Sequence, residues 1–214
     1  MNFYVLQSGS PKDSAACFDW SQVDDSPMGE APRCPVCDSV VGMLPLTPPI
    51  RVELDLWGSE WGDISISAGD EILVSERAKR FLSATGMTGV ERFERVEIAH
   101  VNMHRRANNE LPTYWAAWIK RTSAHISRSQ SQIVWSSPPS CEYCLSGVKV
   151  RIDKLVFDER SWSGEDIFQT RDLPGTIFAS QRLKDLFEGK VITNARFVPL
   201  PEYRFGVTHN AGDM

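Results

Sequence analysis

The chain has 214 residues, 24% charged and 42% hydrophobic, ordinary values for a globular protein able to bury a sizeable core as one large domain or two small lobes. Its 28 acidic and 23 basic residues give a net charge of −5 and a pI near 5.4, against a general nucleic-acid-binding surface. No stretch approaches the ~18 apolar residues of a membrane helix, and the first residues carry no secretory-signal pattern, so a soluble cytoplasmic protein is expected.

Phe3 to Leu6 reads as a short strand, stopped by Ser8-Gly9-Ser10-Pro11. Cys17, among Ala15, Ala16, Phe18 and Trp20, reads as a small buried hydrophobe without a chemical role. Residues 21–33 form a polar loop that delivers Cys34-Pro35-Val36-Cys37, and Leu44 to Pro49 is an extended proline-rich connector. Ile50 to Trp57 alternates apolar and charged residues, the pattern of a half-buried strand. Strands are also expected over Val90 to Met103, Thr113 to Ile119 and Val148 to Phe157, and the small polar tail from Thr208 to Met214 should fray.

Cys34, Cys37, Cys141 and Cys144 form two Cys-x-x-Cys pairs in a chain with one other cysteine. That spacing turns two thiolates inward, and two such pairs supply the closed tetrahedral shell of a structural zinc site, with sulfurs about 2.3 Å from the metal. A disulfide framework is the first alternative, although it belongs mostly to short secreted chains. A redox pair is the second, but it should sit between a strand and a helix in a βαβ unit, and proline-rich loops surround both pairs here.

Ile72 to Leu82 can be laid over Ile177 to Phe187 without a gap, 105 residues apart (177 − 72). Each copy is an apolar strand running into a serine suited to N-capping, Ser75 or Ser180, and then a short helix with one apolar face. Gly86 and Gly189 are placed to end those helices. Trp57-x-x-Glu60 matches Trp162-x-x-Glu165 at the same separation. The expected fold is therefore α+β, mostly antiparallel sheet with short helices. Its two pseudo-repeated halves, 1–107 and 108–214, are joined by a zinc-ribbon-like site of four cysteines. Chance similarity of short strand-helix units is the rival explanation.

No catalytic constellation stands out. His100 and His104 have a spacing that suits two metal ligands on a helix, but they fall on a strand pattern, and His125 and His209 lack obvious partners. Trp57, Glu60, Trp61 and Asp63 lie in a glycine-containing loop within an acidic stretch, a combination that suits contact with a basic protein partner. A solvated turn over the core is the alternative. Arg105, Arg106, Lys120 and Arg121 are the one candidate for a basic, nucleic-acid-binding face.

The two separated Cys-x-x-Cys knuckles, the Phe-Tyr strand at the N-terminus and the Ser-x-Arg helices after apolar strands resemble the double-CXXCG paralogous family of myxobacteria. That family includes immunity proteins of the swarming-inhibition (SitI) type. The glycine of the motif is replaced by Asp38 and Leu145. The resemblance implies a non-enzymatic protein that occludes a cognate toxin, with the four cysteines as ligands of structural zinc. A zinc-ribbon protein that binds nucleic acid or a transcription component is the second reading.

Overall fold

The computed structural model describes residues 2–12, 14–23, 26–67, 70–190 and 192–206. The tail from Thr208 to Met214, including His209, lies outside them. A first run of elements comprises β1 (Phe3–Ser8), β2 (Phe18–Gln22), β3 (Ile50–Leu56), β4 (Ile64–Ile66), β5 (Glu71–Ser75), α1 (Glu76–Ala84) and β6 (Val90–Met103). A second comprises β7 (Tyr114–Ile119), β8 (Gln132–Ser137), β9 (Val148–Lys154), β10 (Ile167–Gln169), β11 (Ile177–Ser180), α2 (Gln181–Lys190) and β12 (Ala195–Pro199). In both, a cysteine pair falls between the second strand and the third. β2 escaped the sequence reading because Phe18-Asp19-Trp20-Ser21-Gln22 is too short and polar to register as a pattern.

The strands form a six-stranded sheet in the order β2-β3-β6-β7-β5-β4, a four-stranded sheet in the order β10-β11-β1-β12, and the β8–β9 hairpin. All these pairings are antiparallel except that of β3 with the far half of β6, so the larger sheet is mixed. Each run lends its first strand to the other's sheet. β1 lies between β11 and β12, while β7 lies between β5 and β6.

Both helices start as expected. The Ser75 hydroxyl accepts the Ala78 N–H at 3.1 Å, and the Ser180 hydroxyl accepts that of Leu183 at 3.2 Å, each satisfying a donor at a helix start. Ala78 and Leu82 of α1, and Leu183 and Phe187 of α2, are buried. Past α1, Gly86 takes the left-handed conformation, φ 62°. Gly189 does not end α2, which continues to Lys190. The Ile192 N–H closes back onto the Phe187 carbonyl at 3.1 Å and brings its buried side chain into the core.

A buried aspartate braces each strand-helix junction. Asp63 accepts hydrogen bonds from the Ser75 hydroxyl (2.7 Å), Arg77, and both the N–H and the hydroxyl of Thr193 (2.9 Å each). Asp166 accepts from the Ser180 hydroxyl (3.1 Å), Arg182 (2.5 Å), and both the N–H and the hydroxyl of Thr88 (3.1 Å each). The threonine always comes from the other run. Asp63 and Asp166 are 103 residues apart (166 − 63), which displaces the expected match of Trp57-x-x-Glu60 with Trp162-x-x-Glu165 by two positions.

Three apolar clusters fill the interior. The central one draws Ile72, Val74 and Leu82 from the first run and Ile177, Leu183 and Phe187 from the second. The Phe81 and Phe187 rings meet at 6.0 Å between centroids. A second cluster, around Phe168 and Phe178, lies under β9, and a third, around Phe18 and Leu54, lies under β3. Among the described residues no helix is long and apolar enough to cross a membrane.

Candidate functional site

Each cysteine pair caps an arm. The chain between β2 and β3 doubles back on itself through the bridges Met28↔Leu46 and Arg33↔Val40, with Cys34–Cys37 at its tip. The β8–β9 hairpin carries Cys141–Cys144 at its own end. Both tips are built alike. The Asp38 N–H reaches the Cys34 carbonyl at 3.0 Å and the Leu145 N–H that of Cys141 at 2.9 Å. These tight turns put Asp38 (φ 59°) and Leu145 (φ 48°) in the left-handed region, the conformation that glycine adopts without a Cβ penalty.

The tips meet through sulfur. Cys34 Sγ lies 4.0 Å from Cys141 Sγ and Cys37 Sγ 3.6 Å from Cys144 Sγ, and all four lie within 4.8 Å of one another. Tetrahedral coordination at about 2.3 Å separates the sulfurs by about 3.8 Å, so the donor set fits a thiolate-seeking metal such as zinc. All four thiols are free. Before a metal binds, hydrogen bonds from the Ser39 hydroxyl and N–H bring the Cys37 thiol down to about 6, and burial pushes Cys144 up to about 11. Lys149 is half-buried near Cys144, with its ammonium 4.9 Å from the Trp135 ring; desolvation lowers its pKa. The Arg171 guanidinium lies 4.2 Å from the Tyr143 ring and lines the same cleft as Cys34 and Cys144. Ser39 and Ser146 each stand two residues past the second cysteine of a pair. That Cys-x-x-Cys-x-Ser spacing is readable in the sequence and was missed.

The loop expected to meet a partner divides into surface and interior. Trp57 is 39% exposed, with its ring stacked on His104 at 3.8 Å, and Glu60 is exposed. Trp61 and Asp63 offer a partner no surface: Trp61 packs edge-on against Phe18 in the core, and Asp63 is spent on the junction it braces. Burial pushes the Asp63 carboxyl up, but hydrogen bonds from Arg77, Thr193 and Ser75 outweigh it and hold the group below the usual carboxylate range. The backbone of residues 58–60 is tied to the Cys17 and Ala15 carbonyls, and Trp61 then packs on Phe18. Residue type alone does not distinguish it from Trp57.

The remaining candidates have structural partners. His100 bonds Asn102 at 2.9 Å, and His125 leans on Asp158 at 3.6 Å. The basic face expected for nucleic acid is largely neutralised, since Lys120 bonds Glu165 and Arg121 bonds Asp70, each at 2.7 Å. Cys17 is buried and its thiol donates to the Gly9 carbonyl at 3.2 Å. Residues 58–201 of the 214 match an immunity protein family, Imm11. A comparison with curated proteins gave no match.

Proposed function

The chain belongs to the Imm11 immunity protein family, and from that membership we propose that it binds and neutralises a cognate bacterial polymorphic toxin in the cytoplasm. It acts by occluding the toxin, without catalysing a reaction. The family match over residues 58–201 carries this reading, and the acidic net charge favours a basic partner such as a nuclease. Cys34, Cys37, Cys141 and Cys144 hold one structural zinc, with no open coordination position. The metal closes the two arms on each other.

The two runs of strands are divergent copies of one unit, with boundaries near 1–107 and 108–214. The aspartate-serine-arginine constellations, with their crossed threonines, support the duplication. So does the pairing of Cys34 with Cys141 and of Cys37 with Cys144, both 107 residues apart. Trp57 and Glu60 are the members of the acidic loop that reach the partner.

The test is co-expression with the toxin encoded beside this gene. The wild type should rescue growth and co-purify with the toxin as a stoichiometric complex. Trp57→Ala should weaken that complex by about 2 kcal/mol if the ring is an anchor. A wild type that neither rescues growth nor forms the complex rejects toxin neutralisation.

A further inference from the structure

Of the four clustered sulfurs, one is open to solvent. Cys37 is exposed, whereas Cys34, Cys141 and Cys144 keep only 3%, 7% and 3% of their surface. Cys17, the fifth thiol, is buried elsewhere against the Gly9 carbonyl. A dissolved electrophile therefore meets Cys37 first.

The arrangement of the tips supplies a second thiol for it. Cys37 Sγ lies 3.6 Å from Cys144 Sγ on the opposite arm. A disulfide sets its sulfurs about 2.05 Å apart, so closing that bond asks for about 1.5 Å of movement between two side chains at arm tips. Cys34 Sγ accepts the Val36 N–H at 3.4 Å and faces Cys141 at 4.0 Å, with both of those cysteines buried. Cys37 and Cys144 thus stand as an exposed attacking sulfur and a buried resolving sulfur, 107 positions apart in the chain.

We propose that in the metal-free chain Cys37 is a modification site for hydrogen peroxide, and that Cys144 turns the product into a disulfide between the two arms. The Cys37 sulfur attacks one peroxide oxygen, the O–O bond breaks, and the other oxygen leaves as water with the thiol proton. Cys37 then carries a sulfenic acid. The Cys144 sulfur attacks the Cys37 sulfur and the S–S bond forms. The S–O bond breaks, and its oxygen leaves as a second water with the Cys144 proton. The two thiols lose two electrons in all, and the peroxide gains them. This bond crosses the same gap between the tips that a metal on the four cysteines would span, so the arms stay tied when metal is absent and peroxide is present. Metal and disulfide are alternative closures of one clamp, and a thiol reductant reopens the second. None of this chemistry depends on the toxin-binding reading above.

The experiment uses the full-length chain stripped of metal by a chelator, with peroxide added stepwise, remaining thiols alkylated and peptides digested without reduction. One molar equivalent should remove two thiols and yield a linked peptide in which fragmentation places the bond between Cys37 and Cys144, with Cys17 untouched. Cys144→Ser should instead leave a sulfenic acid on Cys37 that dimedone traps, and Cys37→Ser should slow thiol loss by about tenfold or more. Amide exchange across residues 26–46 and 132–154 should fall on oxidation and rise again with dithiothreitol. A first bond within one arm, Cys34–Cys37 or Cys141–Cys144, overturns the proposal, as does a disulfide between two chains that grows with protein concentration. So does a wild type that passes to sulfinic acid at Cys37 without a cross-link. A stripped chain that has lost its native circular dichroism overturns it as well, because the facing of the two sulfurs is then gone. A cross-link that leaves exchange in both arms unchanged overturns the clamp.

Discussion

Asp63 tests whether the loop after β3 is a brace or a binding site. Its carboxylate is almost fully buried and accepts from Ser75, Arg77 and Thr193. In Asp63→Ala the Arg77 side chain, 59% exposed, can turn to water, so its loss counts for little. The buried Ser75 hydroxyl cannot, and the Thr193 N–H sits at a half-buried residue. A donor left without its acceptor costs about 1–3 kcal/mol, with the buried Ser75 toward the upper end and the half-buried Thr193 at the lower, so a total of about 2–4 kcal/mol is expected. Urea unfolding at neutral pH, read as a shift in midpoint at constant slope, measures it. Thr193→Val should cost less and should be non-additive with Asp63→Ala, because both remove the bond from the Thr193 hydroxyl to the Asp63 carboxylate. The sign of the pH dependence also follows. The folded-state carboxyl lies below the unfolded value of about 3.9, so its stabilisation is complete above that pH and is lost as pH falls through the folded value. The gap between wild type and Asp63→Asn should therefore narrow in acid. A loss under about 1 kcal/mol, or a gap that widens in acid, would refute the brace.

Three further outcomes are expected. Elemental analysis should find one zinc per wild-type chain, none bound stably in Cys34→Ser, and one in Cys17→Ser. Asp38→Gly should raise stability by up to about 1 kcal/mol in thermal melts, because φ 59° strains a residue with a Cβ and the Asp38–Arg33 pair is solvent-exposed. Leu145→Gly should instead destabilise by about 2 kcal/mol or more, since that side chain is buried in the cluster under β9 and its packing outweighs the relieved strain.

The cysteine cluster and the two strand-serine-helix units were legible because each rests on short spacing rules: two thiols three residues apart, or an N-cap followed by an apolar stripe. The exchange of β1 and β7 between sheets was not legible, because strand pairing is decided by side chains far apart in sequence. The parallel seam between β3 and the far half of β6 was hidden for the same reason. β6 reads as one long strand, yet it pairs with β7 up to Arg95 and with β3 from Val96 onward. Trp57 and Trp61 share a residue type and a loop, and only the packing of Trp61 on Phe18 separates surface from core. Asp63 read as a partner-binding acid and Asp166 drew no reading, because their threonine partners are supplied from more than seventy positions away.

The placement of the four-cysteine cluster says what a metal held there would be for. Structural zinc in finger-sized peptides supplies folding free energy because those peptides have no core of their own. This chain has three apolar clusters, two exchanged strands and two aspartate braces, none of which uses the sulfurs. Removing zinc therefore should not unfold it. The parts that lose their tie are residues 26–46 and the hairpin from Gln132 to Lys154, whose tips share little besides four cysteines, Val41 and Tyr143. Chelation should raise amide hydrogen exchange across both arms while β1, β5, β7 and β11 keep their protection, because those strands are buried between hydrogen-bonded neighbours. If exchange rises equally in the arms and the central strands, the metal supports the whole fold. Exchange that rises in neither would mean the arms are held by contacts other than sulfur. Loss confined to the arms leaves the thiolates one task, fixing the relative position of two surface projections, which matters only to something that touches both.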